Sequence, residues 1–213
     1  MHFQKERLLL YAITNRRTTD EKAFLEQIRD SLEGGITLLQ LREKNLEEAA
    51  FIEEARQVKA LCHSYGVPLI INDNVTVALK SGADGVHVGI DDAPVAQIRS
   101  RAGKGFIIGA TAKTTAQAKA AERAGADYLG SGALFPSPTK RAAIRITKEE
   151  LNAICASVSI PVVAIGGITR QNIMELKNGG MQGAAVVSAI FAARDIRQAT
   201  IELKAAVTSI VHP

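Results

Sequence analysis

Aromatic side chains are scarce. Tryptophan is absent, and Phe and Tyr together supply only 4% of the 213 residues. A nucleic-acid binder would bring stacking rings and cluster its basic residues. Here the 26 Lys and Arg are spread along the chain and nearly balanced by 22 Asp and Glu. The net charge of +4 suits a pocket for small anionic molecules, and nucleic acid is not expected as a partner. Cysteine is almost missing too: Cys62 and Cys155 lie far apart, give no metal-site spacing, and are expected as free thiols rather than a disulfide. No apolar run approaches the roughly 18–20 residues that span a bilayer, so no membrane partner is expected. The segment Met1–Arg7 mixes charges and no small-residue cleavage site follows it, so a cytoplasmic chain without a signal peptide is expected. The sequence leaves homo-oligomerisation open.

What is present is alternation. Short β-branched runs predict strands at Leu8–Thr14, Thr37–Arg42, Pro68–Asn72, Gly85–Val88, Phe106–Ala110, Tyr128–Gly130, Pro161–Ile165 and Gly183–Val187. Amphipathic stretches between them include Glu47–Tyr65, Thr115–Ala124, Lys148–Ser157 and Ile196–Val211. Continuous apolar strands fit a parallel sheet buried on both faces. A Gly-Ala-Asp punctuation recurs at Gly82-Ala83-Asp84 and Gly125-Ala126-Asp127, with Gly180–Gly183 in a matching place, which suggests repeated units around a ring. No G-x-G-x-x-G turn follows the first strand, so the dinucleotide fingerprint of an open sheet is missing. The expected architecture is α/β, a single (β/α)8 TIM barrel spanning residues 1–213 as one domain.

Polar residues at the C-terminal ends of barrel strands surround one mouth and are read together. After strand 2, alternation puts Gln40, Arg42 and Lys44 on one side of the chain, an anion clamp unless Glu43 neutralises it. Asn72 and Asp73 follow strand 3, and Asp91 and Asp92 follow strand 4. These acids either suit Mg²⁺ or cap the next helices. Zinc is disfavoured, since no Cys or His accompanies them. His87 inside strand 4 is expected to be a satisfied core histidine. Thr111, Lys113 and Thr114 follow strand 5, Thr114 also as a helix cap. Gly166 and Gly167 after strand 7, with Val187 and Ser188 after strand 8, match a common barrel phosphate site. The long connection Ala133–Thr147 carries Ser137, Thr139 and Lys140 and is either a lid or a solvated excursion. Two anion sites in one mouth, taking small phosphorylated substrates, point to a transferase that expels pyrophosphate.

The order and wording of these segments resemble the thiamine phosphate synthase (thiamine phosphate pyrophosphorylase) family along nearly the whole chain. The stretches that carry the resemblance are Gln40-Leu41-Arg42-Glu43-Lys44, Ile71-Asn72-Asp73, Ala83–Gly89, Phe135–Lys140, Ala164–Ile168 and Val186–Ile190. The resemblance implies a barrel that joins 4-amino-2-methyl-5-hydroxymethylpyrimidine diphosphate to 4-methyl-5-(2-phosphoethyl)thiazole, or its carboxylated form, giving thiamine phosphate and pyrophosphate. It further implies that Gln40, Arg42, Lys44, Asn72, Thr111 and Lys140 hold the pyrimidine diphosphate, with Arg42, Lys44 and Lys140 catalytic. Asp73 and Asp92 would then hold Mg²⁺, and Ser137, Thr139, Gly167, Val187 and Ser188 the thiazole phosphate. The implied mechanism is dissociative and needs no protein nucleophile. The chain departs from the family's usual pattern at Thr111 for serine, Ser137 for threonine, Ile90 for glutamine and Lys113 for histidine. It departs again at Arg141-Ala142-Ala143, where an aspartate is usual. Two rival readings are a thiazole tautomerase-like paralogue and a non-catalytic phosphate-ligand-binding barrel. The first usually lacks the Arg-x-Lys and Asn-Asp elements present here, and the second would let the metal and lysine positions erode.

Overall fold

The computed structural model describes residues 3–16, 20–136 and 144–211. Eight parallel strands close on themselves in chain order: β1 (Leu10–Ile13), β2 (Leu38–Leu41), β3 (Leu69–Asn72), β4 (Gly85–Val88), β5 (Ile107–Thr111), β6 (Tyr128–Ser131), β7 (Val162–Ile165) and β8 (Gly183–Val186). The barrel is sealed by β1 pairing with β8, Tyr11 opposite Ala185. Helices follow the strands as α1 (Glu21–Glu33), α2 (Glu48–Ser64), α3 (Val75–Ser81), α4 (Val95–Ala102), α5 (Thr115–Arg123), α6 (Lys148–Ser157), α7 (Ser188–Phe191) and α8 (Ile196–Val211), with a 3-10 turn at Ile173–Leu176 after β7. Each strand falls inside or within one residue of its sequence expectation.

The period-2 alternation of strands splits the apolar residues into two layers. Leu39, Leu41, Leu69, Ile71 and Val86 face outward and pack on the helices, with Phe24, Ile28, Val58 and Leu203 from the helical layer. Tyr11, Ile13, Leu38, Ile70, Tyr128, Val163 and Ala185 face inward and fill the barrel. Phe3 plugs the bottom, its ring stacked on Tyr128 at 5.4 Å. The interior is crowded enough to require glycine at position 109, where a Cβ would collide with the Tyr128 ring and with His87.

The Gly-Ala-Asp punctuation has a structural cause. Asp84, just before β4, accepts a hydrogen bond from the Leu69 amide of β3 at 2.7 Å. Asp127, just before β6, accepts from the Ile108 amide of β5 at 2.7 Å. Thr37, just before β2, does the same for the Leu10 amide of β1 at 2.9 Å. A side-chain acceptor thus enters ahead of each of these even-numbered strands and satisfies an amide on the strand before it, which would otherwise be an orphan at the sheet's lower rim. Both cysteines are free, Cys62 buried in α2 and Cys155 partly buried in α6. Among the described residues no helix is long and apolar enough to cross a membrane.

Candidate functional site

The C-terminal ends of the strands open onto a cavity of about 460 Å³. Gln40, Arg42 and Lys44 all line it, as the alternation along β2 and its extension requires. Asn72, Asp73, Asp92 and Thr111 line the same wall, and Gly167, Val187 and Ser188 line the far side. Ser137, Thr139, Lys140 and Arg141–Ala143 lie outside the described residues.

Two of the blander expectations fail. Asp73 and Asp92 cap no helix: α3 is capped by Asn74, whose side chain accepts from the Val77 amide at 2.9 Å, and α4 starts after Pro94 with no side-chain cap. Glu43 makes no salt bridge with Arg42: alternation starts it away from the cavity and Arg16 takes it at 3.3 Å, so Arg42 reaches it only through its charge. Among the described residues neither Arg42 nor Lys44 forms a salt bridge. Two cations facing a cavity with no carboxylate in contact are available to an anionic ligand. The cap expectation does hold for Thr114, which accepts from the Gln117 amide at the start of α5.

The acids sit as a pair. Asp73 adopts a positive φ of 60°, a conformation that Asp tolerates better than most residues. Its carboxyl is pushed up to about 6, first by burial and then by its contact with the Asp92 carboxyl and that group's charge. Asn72 Nδ2 donates to Asp73 Oδ2 at 2.6 Å, and the Gly89 amide donates to Asp92 Oδ2 at 2.6 Å. Among the described residues there is no group of three or more His, Cys, Asp or Glu that could hold a metal ion. Mg²⁺ asks for less, since it takes one or two carboxylates and completes its shell with substrate phosphate and water oxygens. Two carboxyls pressed together, with Asp73 reluctant to ionise, beside an amide and at the cavity rim, fit that donor set.

The cavity floor holds a feature that the sequence conceals. Gln40 Nε2 donates to the Tyr11 hydroxyl at 2.6 Å, and Tyr11 and Tyr128 share a hydrogen bond at 2.8 Å. His87 then bridges Tyr128 (Nδ1, 3.2 Å) and Thr111 Oγ1 (Nε2, 3.2 Å). This buried chain crosses the barrel from β2 to β5 and joins two of the expected site residues, Gln40 and Thr111. His87 is satisfied, as expected, but it also lines the cavity. Burial pushes both phenols upward, so they stay neutral donors and acceptors. The one available sequence signal was alternation: Tyr11 and Ile13 share the inward face with Gln40.

On the far side Gly166 and Gly167 have φ of 99° and 67°. A Cβ on Gly167 would run into the carbonyls of Phe135 and Pro136, so the glycines serve the close passage of that segment as well as opening the cavity wall. The Asn172 side chain donates to the Gly167 carbonyl at 2.9 Å and fixes the turn. Lys113 also lines the cavity, and its amine donates to the Ile144 carbonyl at 3.0 Å.

A closed parallel barrel with a polar, cation-bearing mouth at its strand C-termini is the class of molecule that carries enzyme active sites at that face. The chain belongs to the family described as thiamine monophosphate synthase, whose pattern matches residues 10–190. It is 47% identical over 196 residues to the thiamine-phosphate synthase of Methanobrevibacter smithii, covering 92% of this chain and 93% of that one. It is 44% identical, over 92% of this chain and 93% of its relative, to thiamine-phosphate synthase 2 of Streptococcus pneumoniae. The solved thiamine phosphate pyrophosphorylase of Pyrococcus furiosus superposes with a TM-score of 0.89 at 40% identity, covering 97% of this chain and 98% of the other.

Proposed function

We propose that this chain is a transferase that makes thiamine phosphate, joining 4-amino-2-methyl-5-hydroxymethylpyrimidine diphosphate to 4-methyl-5-(2-phosphoethyl)thiazole or its carboxylated form. The observation that carries the reading is the division of one mouth in a chain of this family. Gln40, Arg42, Lys44 and the Asp73–Asp92 pair lie on one side, and Gly167, Val187 and Ser188 on the other.

In this reading the C–O bond between the pyrimidine methylene and the diphosphate breaks, pyrophosphate leaves with the electron pair, and the thiazole nitrogen closes the new C–N bond, with CO2 lost as well when the carboxylated thiazole is the acceptor. The aminopyrimidine ring stabilises the cationic carbon, so the protein supplies neither nucleophile nor strong base. Its task is to hold two rings together and to stabilise charge on the departing group. Arg42 offers a bidentate fork and Lys44 a point charge to the diphosphate, joined by Lys140. Asp73 and Asp92 would hold Mg²⁺, which when bound supplies further neutralisation of the diphosphate oxygens. The Tyr11 hydroxyl occupies the Gln40 amide nitrogen, which leaves the Gln40 carbonyl oxygen as an acceptor for the pyrimidine's amino group. Thr111, tethered by His87, adds a hydroxyl to the same cavity. Ser137, Thr139, Gly167, Val187 and Ser188 would receive the thiazole phosphate.

The test mixes purified protein, both substrates and Mg²⁺ and follows thiamine phosphate as its fluorescent thiochrome derivative. Product that vanishes with chelator is the expected result. No product from folded protein that still binds the thiazole phosphate would contradict the reading and favour a tautomerase-like or ligand-sensing barrel.

A further inference from the structure

Glu43 stands in sequence between the two cations that face the cavity, and an unrestrained glutamate side chain is long enough to reach back to either of them. The structure diverts it. Arg16, in the loop after β1, donates from Nε to Glu43 Oε1 at 3.3 Å and pairs through Nη2 with Glu54 Oε2 of α2. Its guanidinium lies over the Phe24 ring of α1, 4.4 Å from the centroid. The Glu43 and Glu54 side chains are only 7% and 8% exposed, and Glu54 Oε1, the oxygen that Arg16 does not hold, has no hydrogen-bond partner among the described residues. Thr14 completes the stitch between β1 and β2: its amide donates to the Gln40 carbonyl and its Oγ1 accepts from the Arg42 amide, both at 2.9 Å.

We propose that Arg16 is a positioning residue for diphosphate binding: by holding Glu43 behind the strand end, it keeps Arg42 and Lys44 unpaired and aimed into the mouth. Opposite charges adjacent on a flexible strand end find each other in the absence of a better partner, and a carboxylate in contact with Arg42 would compete directly with a phosphate oxygen for the same fork. Arg16 is a better partner because it is planar, permanently charged, stacked on an aromatic face and shared with a second buried acid. It touches neither substrate nor reacting atoms; its effect passes through Glu43. The proposal rests on the diphosphate reading of the mouth.

The experiment measures the Kd of inorganic pyrophosphate, with Mg²⁺ present, by calorimetry. Simple removal of Arg16 would strand the buried Glu54 charge, so the first variant is Arg16→Gln with Glu54→Gln. This unclamped chain should bind pyrophosphate about tenfold more weakly than wild type. Adding Glu43→Gln should bring it back to within about threefold, because the competing charge is gone. Arg16→Lys, which keeps a cation beside Glu54 and so guards against failed folding, should lose about threefold, again cancelled by Glu43→Gln. Unchanged affinity in the unclamped chain, or a loss that Glu43→Gln does not recover, overturns the proposal, as does Arg16→Lys binding identically with and without Glu43→Gln. Failure of the wild-type chain to bind pyrophosphate overturns the diphosphate reading itself and this proposal with it.

Discussion

At the N-terminal ends of the strands, Asp84 and Asp127 are surrounded by donors that the fold itself provides. Asp84 takes the Leu69 amide and His63 Nε2, at 2.7 and 2.8 Å. Asp127 takes the Ile108 amide and Arg99, at 2.7 and 2.6 Å. At the C-terminal ends, Asp73 and Asp92 are set against each other, and Arg42 and Lys44 in the same mouth are left without a salt bridge among the described residues. The same residue type closes the barrel at one end and stays unsettled at the other. Charge arranged to satisfy itself serves stability. Charge arranged against itself waits for a ligand.

The comparison breaks most visibly at the lower rim. Arg99 donates to the carbonyls of Gly103, Phe106 and Gly125 as well as to Asp127. Arg99→Ala should cost about 2–4 kcal/mol, or roughly 5–12 °C in Tm for a chain of this size, while kcat of the protein that remains folded stays near wild type. A thermal melt beside a rate measurement checks this. An unchanged Tm with a large fall in kcat would reverse the assignment of the two ends.

A smaller effect sharpens the upper half. The raised Asp73 carboxyl holds its proton more tightly in the folded chain than in the unfolded one. Its contribution therefore favours folding at low pH and is lost as pH rises from about 4 through 6. Without divalent cation, the Tm advantage of Asp73→Asn over wild type should grow by about two degrees between pH 5 and pH 7. In the same range divalent-cation affinity of the wild type should strengthen as the proton leaves, which titration calorimetry at the two pH values reads directly. A pH-independent difference would remove the paired-acid description.

Much of this was legible in the chain. Strands buried on both faces must be apolar throughout, so eight short β-branched runs stood out from the helical segments without any pattern matching. Gln40, Arg42 and Lys44 were grouped by alternation, and the structure places all three at the cavity. The same alternation starts Glu43 off on the opposite face, and the Arg16 contact keeps it there. The identity of its partner was not legible, because Arg16 lies 27 residues earlier in an irregular loop. Tyr11 and Tyr128 lie 117 residues apart, and only barrel closure brings their hydroxyls together. The repeated Gly-Ala-Asp was visible as a rhythm, but its cause is a hydrogen bond to the preceding strand, a contact set by register rather than by local sequence.

The most direct test compares one acid from each end under the same assay. Thiochrome-detected synthesis and thermal melts would be run on Asp92→Asn and Asp127→Asn beside wild type. Asp92→Asn should lose activity by at least about a hundredfold with Tm unchanged or slightly raised, and Asp127→Asn should keep its rate with a lowered Tm. Full activity in Asp92→Asn, or a comparable loss of rate in a well-folded Asp127→Asn, would contradict the account.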